Sequence, residues 1–459
     1  MDLEPTVPAP DLGRGPEGLL PRLRHRILGS ARDPFDRSIF HKLSLLPFFA
    51  WVGLGADGLS SSCYGPAEAF LALGNHHALA LLVALGTAIT VLVISASYGQ
   101  IIELFPTGGG GYLVASRLLS PKWGMVSGSA LIIDYVLTIA LSVAASGDAV
   151  FSFLPASWQW ARFPFEILAL VLLAGLNLRG AKESVGALVP IFLVFVATHL
   201  AAIAWALGSR LPEMGALAVS TSSEMATSTR TLGILPLALL VMRAYSMGAG
   251  TFTGIEAVSN GLPLLREPKV RTGKRTMLYM AVSLSFTAFG LMVAYLLYRV
   301  EHVPGKTLNA VLFESMTAGW GSWGAALVTV ALLSEGALLF VAAQAGFLDG
   351  PRVLSNMALD RWLPSRFAHL SDRLVTQNGV LTMFLASLGA LVLSRGDVSF
   401  LVILYSINVF ITFTLSQLGM LLHWWRSRRD GPWKKRIAIA GTGFLLSETV
   451  KQSLVSRDC

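Results

Sequence analysis

The stretch Gly53-Leu-Gly-Ala-Asp-Gly-Leu-Ser-Ser-Ser-Cys-Tyr-Gly-Pro-Ala-Glu68 lies inside an apolar run from about residue 45 to 74. It reads as a membrane helix broken at its centre. Gly53, Gly55 and Gly58 lower helix propensity, Ser60, Ser61 and Ser62 can bond freed backbone groups, and Pro66 suits the first turn of a new helix. The break is expected between Asp57 and Ser62. Unwound backbone is tolerated at membrane depth only where protein buries it or it lines a wet cavity. A carboxylate, Asp57, stands at that point, and intramembrane carboxylates default to function. The structural alternative is an Asp57 that caps the second half-helix by accepting from the amides of Leu59 or Ser60.

Composition agrees with a membrane chain. With 54% hydrophobic and only 14% charged residues, and a mean hydropathy of +0.63, it is far more apolar than soluble domains. Two cysteines, Cys63 and Cys459, supply neither a disulfide framework nor a metal-ligand spacing. Residues 1–44 are expected to form a cytoplasmic segment that is Pro/Gly-rich, then basic, with no signal peptide. After the first span, further spans are expected near 78–104, 123–154, 164–178, 184–208, 234–265, 276–299, 323–348, 379–395 and 398–425, ten in all. On that assignment, the segments sharing the N-terminal side hold 26 of the 35 Lys and Arg and the other side holds six. The N-terminus is therefore expected in the cytoplasm. The same asymmetry accounts for the net charge of +8 without a nucleic-acid partner.

Span 6 repeats the peculiarity of span 1. Gly248-Ala-Gly-Thr-Phe-Thr-Gly-Ile-Glu256 interrupts an apolar helix with glycines, threonines and a carboxylate. Five spans separate the two interruptions, and an odd offset reverses orientation in the membrane. The pattern predicts an all-α polytopic membrane protein with a five-plus-five inverted repeat, residues 45–208 and 234–425, and a solute site at the midplane.

Other polar positions can be placed on that frame. Tyr135, Thr138 and Ser142 fall at i, i+3 and i+7 on span 3, one helical stripe that either lines a ligand or bonds neighbouring helices. Thr253 and Glu256, at i and i+3, are expected to face the same cavity. Tyr405 heads a polar series with Ser406 and Asn408 on span 10. Glu335, in the middle of span 8, is a second candidate for handling a proton or cation. Arg243 and Asp148 fall at similar depth and suggest a pair or gate, while Asp134 points about 100° from Tyr135 and is expected to meet a neighbouring span. The Gly108–Gly111 run lacks the ending of a phosphate loop, His76-His77 reads as a solvated turn, and no nucleophile-and-base constellation is visible. Neither an enzyme nor a bound cofactor is expected. An amino-acid carrier would want positive potential at the span 1 break, which Asp57 opposes. Carboxylates with hydroxyls from Tyr64, Tyr135, Thr138, Ser142 and Thr253 instead make hard oxygen ligands for an alkali cation.

Asp57-Gly-Leu-Ser-Ser-Ser-Cys-Tyr-Gly with Pro66, Thr-Gly-Ile-Glu256, Asp-Tyr135-Val-Leu-Thr138, Phe-Leu-Asp349-Gly-Pro-Arg-Val-Leu and Tyr405-Ser-Ile-Asn-Val-Phe-Ile-Thr-Phe-Thr-Leu-Ser-Gln resemble the Kup family of potassium–proton symporters, in its KimA-type branch. The resemblance runs from about residue 45 to 425 and reaches the amino acid–polyamine–organocation superfamily, which implies the LeuT-like form of the inverted repeat. It implies potassium held by Asp57, Tyr64, Tyr135, Thr138 and Ser142, with Thr253, Glu256 and Tyr405 completing or closing the site. Glu256 is the implied carrier of the coupled proton, with Asp57 beside it. Rocking of spans 1, 2, 6 and 7 would alternate access across a plasma membrane, here read as a bacterial inner membrane. The chain departs from the family after Arg436. The apolar Ile437–Leu446 segment is too short to span and is expected to stop at Ser447, an incomplete eleventh span. That ending reads as truncation or a shifted frame. Dimerisation and nucleotide regulation through a C-terminal domain therefore do not carry over, although a homodimer stays open. A proton-coupled amino-acid or amine permease, or a non-transporting sensor or damaged product, are the alternative readings.

Overall fold

In the computed structural model, the described residues are 45–179, 185–371, 375–428 and 433–455. The expected N-terminal segment 1–44 lies outside them. Nine helices among the described residues are long and apolar enough to cross a membrane. The broken first span joins them, so the expected ten are present. Span 1 is α1 (Pro47–Ser60) and α2 (Gly65–Leu71); span 2 is α3 (Ala80–Leu104), which leads through the short α4 (Gly110–Val114) to span 3, α5 (Pro121–Phe151). Spans 4 and 5 are α6 (Arg162–Leu178) and α7 (Val185–Ser209). A polar helix, α8 (Met214–Leu232), then precedes span 6, which is α9 (Ile234–Met247), an unwound stretch and α10 (Ala257–Asn260). Span 7 is α11 (Lys269–Leu297), followed by α12 (Leu308–Thr317); spans 8 to 10 are α13 (Gly321–Leu359), α14 (Gln377–Ser394) and α15 (Val398–Arg426). Last comes α16 (Trp433–Val455).

The repeat is visible in which helices pack together. Four of the five spans of the first repeat lie against the one five places on: span 1 on 6, 2 on 7, 3 on 8 and 4 on 9. This is the LeuT-like five-plus-five inverted repeat. Burial separates its layers, since the apolar window of α5 is 78% buried and that of α7 only 28%. Exposed Leu85, Ile89 and Leu92 form a stripe along α3, which suits a helix flank against lipid. The two repeats are also stitched at the side carrying most of the basic residues. There Leu45 N–H donates to the Leu264 carbonyl at 3.0 Å, and Arg266 N–H to the Leu45 carbonyl at 3.0 Å.

Two elements depart from the sequence expectation. The α8 helix was not anticipated; its polar composition concealed it, and it docks through Thr221 on the Ala78 carbonyl at 2.8 Å and Glu224 on His76 at 2.6 Å. The second departure is α16, which runs on through Ser447 instead of stopping at Leu446. Its polar groups bond their own helix, Ser447 to the Gly443 carbonyl at 2.8 Å and Thr449 to the Leu445 carbonyl at 2.7 Å. Hydroxyls satisfied by the i−4 carbonyl need no break. At 23 residues the helix is about 34 Å long. It packs on α15, α3 and α9.

Candidate functional site

The break in span 1 falls later than Asp57. Helix α1 continues to Ser60, a 3-10 turn follows over Ser61–Cys63, and Tyr64 leaves helical geometry at φ −126° before α2 starts at Gly65 with Pro66 in its first turn. Three consecutive serines move it. Ser60, Ser61 and Ser62 donate to the carbonyls of Asp57, Gly58 and Leu59 at 2.8, 2.5 and 2.7 Å, taking up acceptors that the unwinding helix releases. Asp57 therefore sits in the last turn of α1 and is not the cap of α2. It is 2% exposed, and its Oδ1 has no hydrogen-bond partner.

Span 6 unwinds opposite. A 3-10 turn over Gly248–Phe252 ends at Thr253 with ψ 140°, and Gly254 takes φ +75°. The two breaks touch. A Cβ on Gly254 would meet Gly58 N at 2.4 Å and the Asp57 carbonyl carbon at 2.8 Å; one on Gly65 would meet Thr251 Oγ1 at 2.2 Å. Glycine is required at both places. Ser61 Oγ also reaches the Thr251 carbonyl at 2.8 Å. Thr253 donates to the Gly250 carbonyl at 2.6 Å, so its oxygen accepts from the Tyr64 hydroxyl at 3.0 Å.

Around this contact the remaining predicted residues divide. Tyr405 on α15 lies beside Thr253, Tyr64, Asp57 and Asp134. Its companions Ser406 and Asn408 bond back to the Val402 and Leu404 carbonyls, so only Tyr405 of that series turns to the break. On α5, Tyr135 accepts from Asn260 Nδ2 at 2.7 Å, and Thr138 and Ser142 are buried, Ser142 Oγ without a partner. Thr253 and Glu256 do not share a helical face, because the backbone between them is not helical. Glu256 turns instead to α3 and α4. It accepts from the Tyr98 hydroxyl at 2.9 Å, the Gly111 amide at 2.8 Å and Asn260 Nδ2 at 3.4 Å.

The expected Arg243–Asp148 pair is not formed. Arg243 is exposed on α9, while Asp148 pairs with Arg162 at the start of α6. Glu335 is fully buried and separate from the Asp57 cluster, bonded to Asn309 Nδ2 at 2.7 Å. Asp134 meets Tyr405 on α15, as its helical angle suggested. Four participants were not assigned from the sequence: Asp134 as a neighbour of the site, Tyr98, Asn260 and Asp349. Asp349 lies within electrostatic reach of Asp57, Tyr135 and Glu256 and pairs with Arg352 at 3.0 Å. It stands in Phe-Leu-Asp349-Gly-Pro-Arg-Val-Leu, one of the motifs that carry the family resemblance. Tyr98 and Asn260 carry no pattern that marks them, since their role depends on where Glu256 turns.

Tyr64, Thr253 and Tyr405 bring buried oxygen atoms beside the Asp57 carboxylate. Such donors suit a hard cation. Among known proteins, the model of the amino acid permease family matches residues 50–450. The Potassium transporter KimA of Bacillus subtilis (strain 168) is 33% identical over 400 residues, 86% of this chain and 64% of that protein. The chain thus spans just under two thirds of that relative. In solved structures, a Na+-coupled sialic acid symporter in a substrate-bound outward-open state aligns over 92% of each chain with a TM-score of 0.51 at 12% identity. The Eremococcus coleocola manganese transporter aligns over 94% of this chain and 89% of its own with a TM-score of 0.53 at 14% identity. These two share the fold.

Proposed function

The chain belongs to the amino acid permease family, and from that premise we propose that it is a secondary active transporter that imports potassium ions coupled to protons. The observation that carries this reading is Asp57: a buried carboxylate whose Oδ1 lacks a partner, at the junction of two unwound helices. Potassium would sit between Asp57, Tyr64, Tyr135, Thr138, Ser142, Thr253 and Tyr405. Desolvation of the ion is offset by these oxygens and by the negative charge around them, Asp134 and Asp349 included. The similarity to a potassium transporter supports the choice of ion.

Glu256 is the proposed carrier of the proton. Three donors converge on it, an environment suited to the ionised carboxylate. Protonation would remove the charge that holds Gly111 and Tyr98 and so loosen α4 and α3 from span 6. Release of that proton would restore the closure. Asp57 shares the charge balance, because two carboxylates near one cation titrate as a coupled set. The membrane is proposed to be the plasma membrane, with the N-terminus in the cytoplasm, as the distribution of basic residues supports.

The decisive experiment is growth at limiting potassium of a strain that lacks its own potassium importers, expressing the parent or Asp57→Asn at equal membrane abundance. Rescue by the parent alone is expected. Rescue by both would remove Asp57 from the site. Failure of both, with the protein inserted, would favour an amino-acid or amine permease, and uptake of labelled amino acids would then be measured. That second reading is favoured by the family description but meets Asp57 where a solute carboxylate would have to sit.

A further inference from the structure

Two buried ionisable groups face each other between α7 and α13, apart from Asp57. His199 is 1% exposed and Glu335 0%. His199 Nε2 and Glu335 Oε2 are 4.0 Å apart, and neither atom has a hydrogen-bond partner. The other ring nitrogen fixes the tautomer. Nδ1 lies 3.0 Å from the Phe195 carbonyl, which can only accept, so Nδ1 carries a hydrogen. The Thr198 hydroxyl, 3.3 Å from Nδ1, has its own hydrogen directed to the carbonyls of Val194 and Phe195. A neutral His199 therefore turns a bare lone pair toward Glu335.

The Asn309 amide donates to the other oxygen. Glu335 Oε1 accepts from Asn309 Nδ2 at 2.7 Å, and the Cys63 thiol bonds the same carboxyl group. Asn309 Oδ1 in turn accepts from the Tyr295 hydroxyl. Phe195 stacks on the imidazole at 3.8 Å between centroids, and Phe313 meets it edge-on at 5.4 Å. The titratable groups facing the pair are thus Cys63 at the first break and Tyr295 from α11; the other walls are the amide of Asn309 and two phenyl rings. An ionised Glu335 opposite a neutral His199 would set lone pair against lone pair in an apolar enclosure.

We propose that His199 and Glu335 form a one-proton site distinct from the Asp57 pocket, in which a single proton occupies the gap between Nε2 and Oε2. Once the pair closes from 4.0 Å to hydrogen-bond distance, a proton on Oε2 donates to the imidazole; on Nε2 it makes an imidazolium–carboxylate pair. Either way one proton binds and no other bond changes. The site touches the transport machinery through Cys63, whose thiol meets Glu335 and whose carbonyl lies 3.4 Å from Asn309 Nδ2. Cys63 closes the 3-10 turn that places Tyr64, so the loaded and empty forms bias that turn differently. Only this transport consequence rests on the proton-coupled reading.

The test uses the purified full chain with Glu335→Gln, whose amide can donate to Nε2 and so imitates a permanently filled gap. In proteoliposomes, potassium–rubidium exchange should stay within about twofold of the parent, while accumulation driven by a proton gradient should fall about tenfold or more. Gradient-driven accumulation equal to the parent's would overturn the coupling role. A second readout needs no transport. A native state that keeps its proton where the unfolded chain releases it, above about pH 6.5, loses stability as pH rises. The parent's unfolding should therefore carry a pH dependence of about one proton that Glu335→Gln lacks. Equal pH slopes would overturn the site, even in a protein that moves no potassium. If Glu335→Gln does not fold, His199→Gln, which can donate to Oε2, gives the same two readouts.

Discussion

The Tyr64 hydroxyl joins the two unwound helices side chain to side chain, through Thr253 at 3.0 Å. Removing it with Tyr64→Phe leaves the ring packing on Gly250 and takes away one oxygen from the proposed ion site. A hydrogen bond of this kind is worth about 1 kcal/mol net, and a lost charge-facing ligand somewhat more. Half-saturating potassium should rise roughly tenfold in rubidium uptake, with little change in the amount of folded protein. Gly65 makes the opposite forecast. A methyl group there would overlap Thr251 Oγ1 at 2.2 Å, its amide nitrogen at 2.6 Å and its Cα at 2.9 Å, and backbone cannot swing aside. Gly65→Ala should therefore cost on the order of 1–3 kcal/mol by overpacking and lower the thermal midpoint, read by size-exclusion after heating. Both residues stood in the first motif. Their difference in kind, one binding and one packing, depended on what span 6 brings opposite them.

At the scale of elements, the serines show how little of a break's position is written in glycine content. Gly53, Gly55 and Gly58 all precede Leu59, yet the helix persists until Ser60, because the hydroxyls that take up its carbonyls come after them. The polar helix α8 was illegible for a related reason: its stability comes from docking, and docking partners have no signature in its own sequence. One of them is His76, 2.6 Å from Glu224. The hydrogen bond from His76 holds the Glu224 carboxyl below its ordinary value of 4.5. A lowered carboxylate contributes stability above its unfolded value, and loses it as pH falls through the lowered, folded one. Docking of α8 should thus be intact at neutral pH and loosen below about pH 4.5. A spin-label distance between α8 and the turn at His76 should lengthen on acidification, and Glu224→Gln should show that longer distance at neutral pH.

For the whole molecule, orientation is the proposal most easily checked. Trp160 is 78% exposed in the turn before α6, and Leu359 is 70% exposed at the end of α13. They lie on opposite sides of the ten-span bundle. With Cys459 replaced by Ser, Trp160→Cys should react in intact cells with a thiol reagent that cannot cross membranes. Leu359→Cys should react only after the cells are opened, and the reverse pattern would invert the topology. The alternation of basic loops and the two interrupted helices already determined the span count, the inverted repeat and a carboxylate, Asp57, next to the first break, since each is a matter of hydropathy, charge and local propensity along one chain.

Tertiary structure alone decided how those pieces meet. Glu256 was expected to face Thr253's cavity, but Gly254 at φ +75° turns it toward Tyr98 and Gly111. Asp148 found Arg162 and left Arg243 at the surface. Asp134 and Asp349 joined the interior cluster from helices distant in sequence, and His199 came to face Glu335 across 136 positions. A sequence records which groups a chain must bury; which group faces which is fixed only when the helices pack, because a side chain's partner depends on rotation and register that no single segment carries.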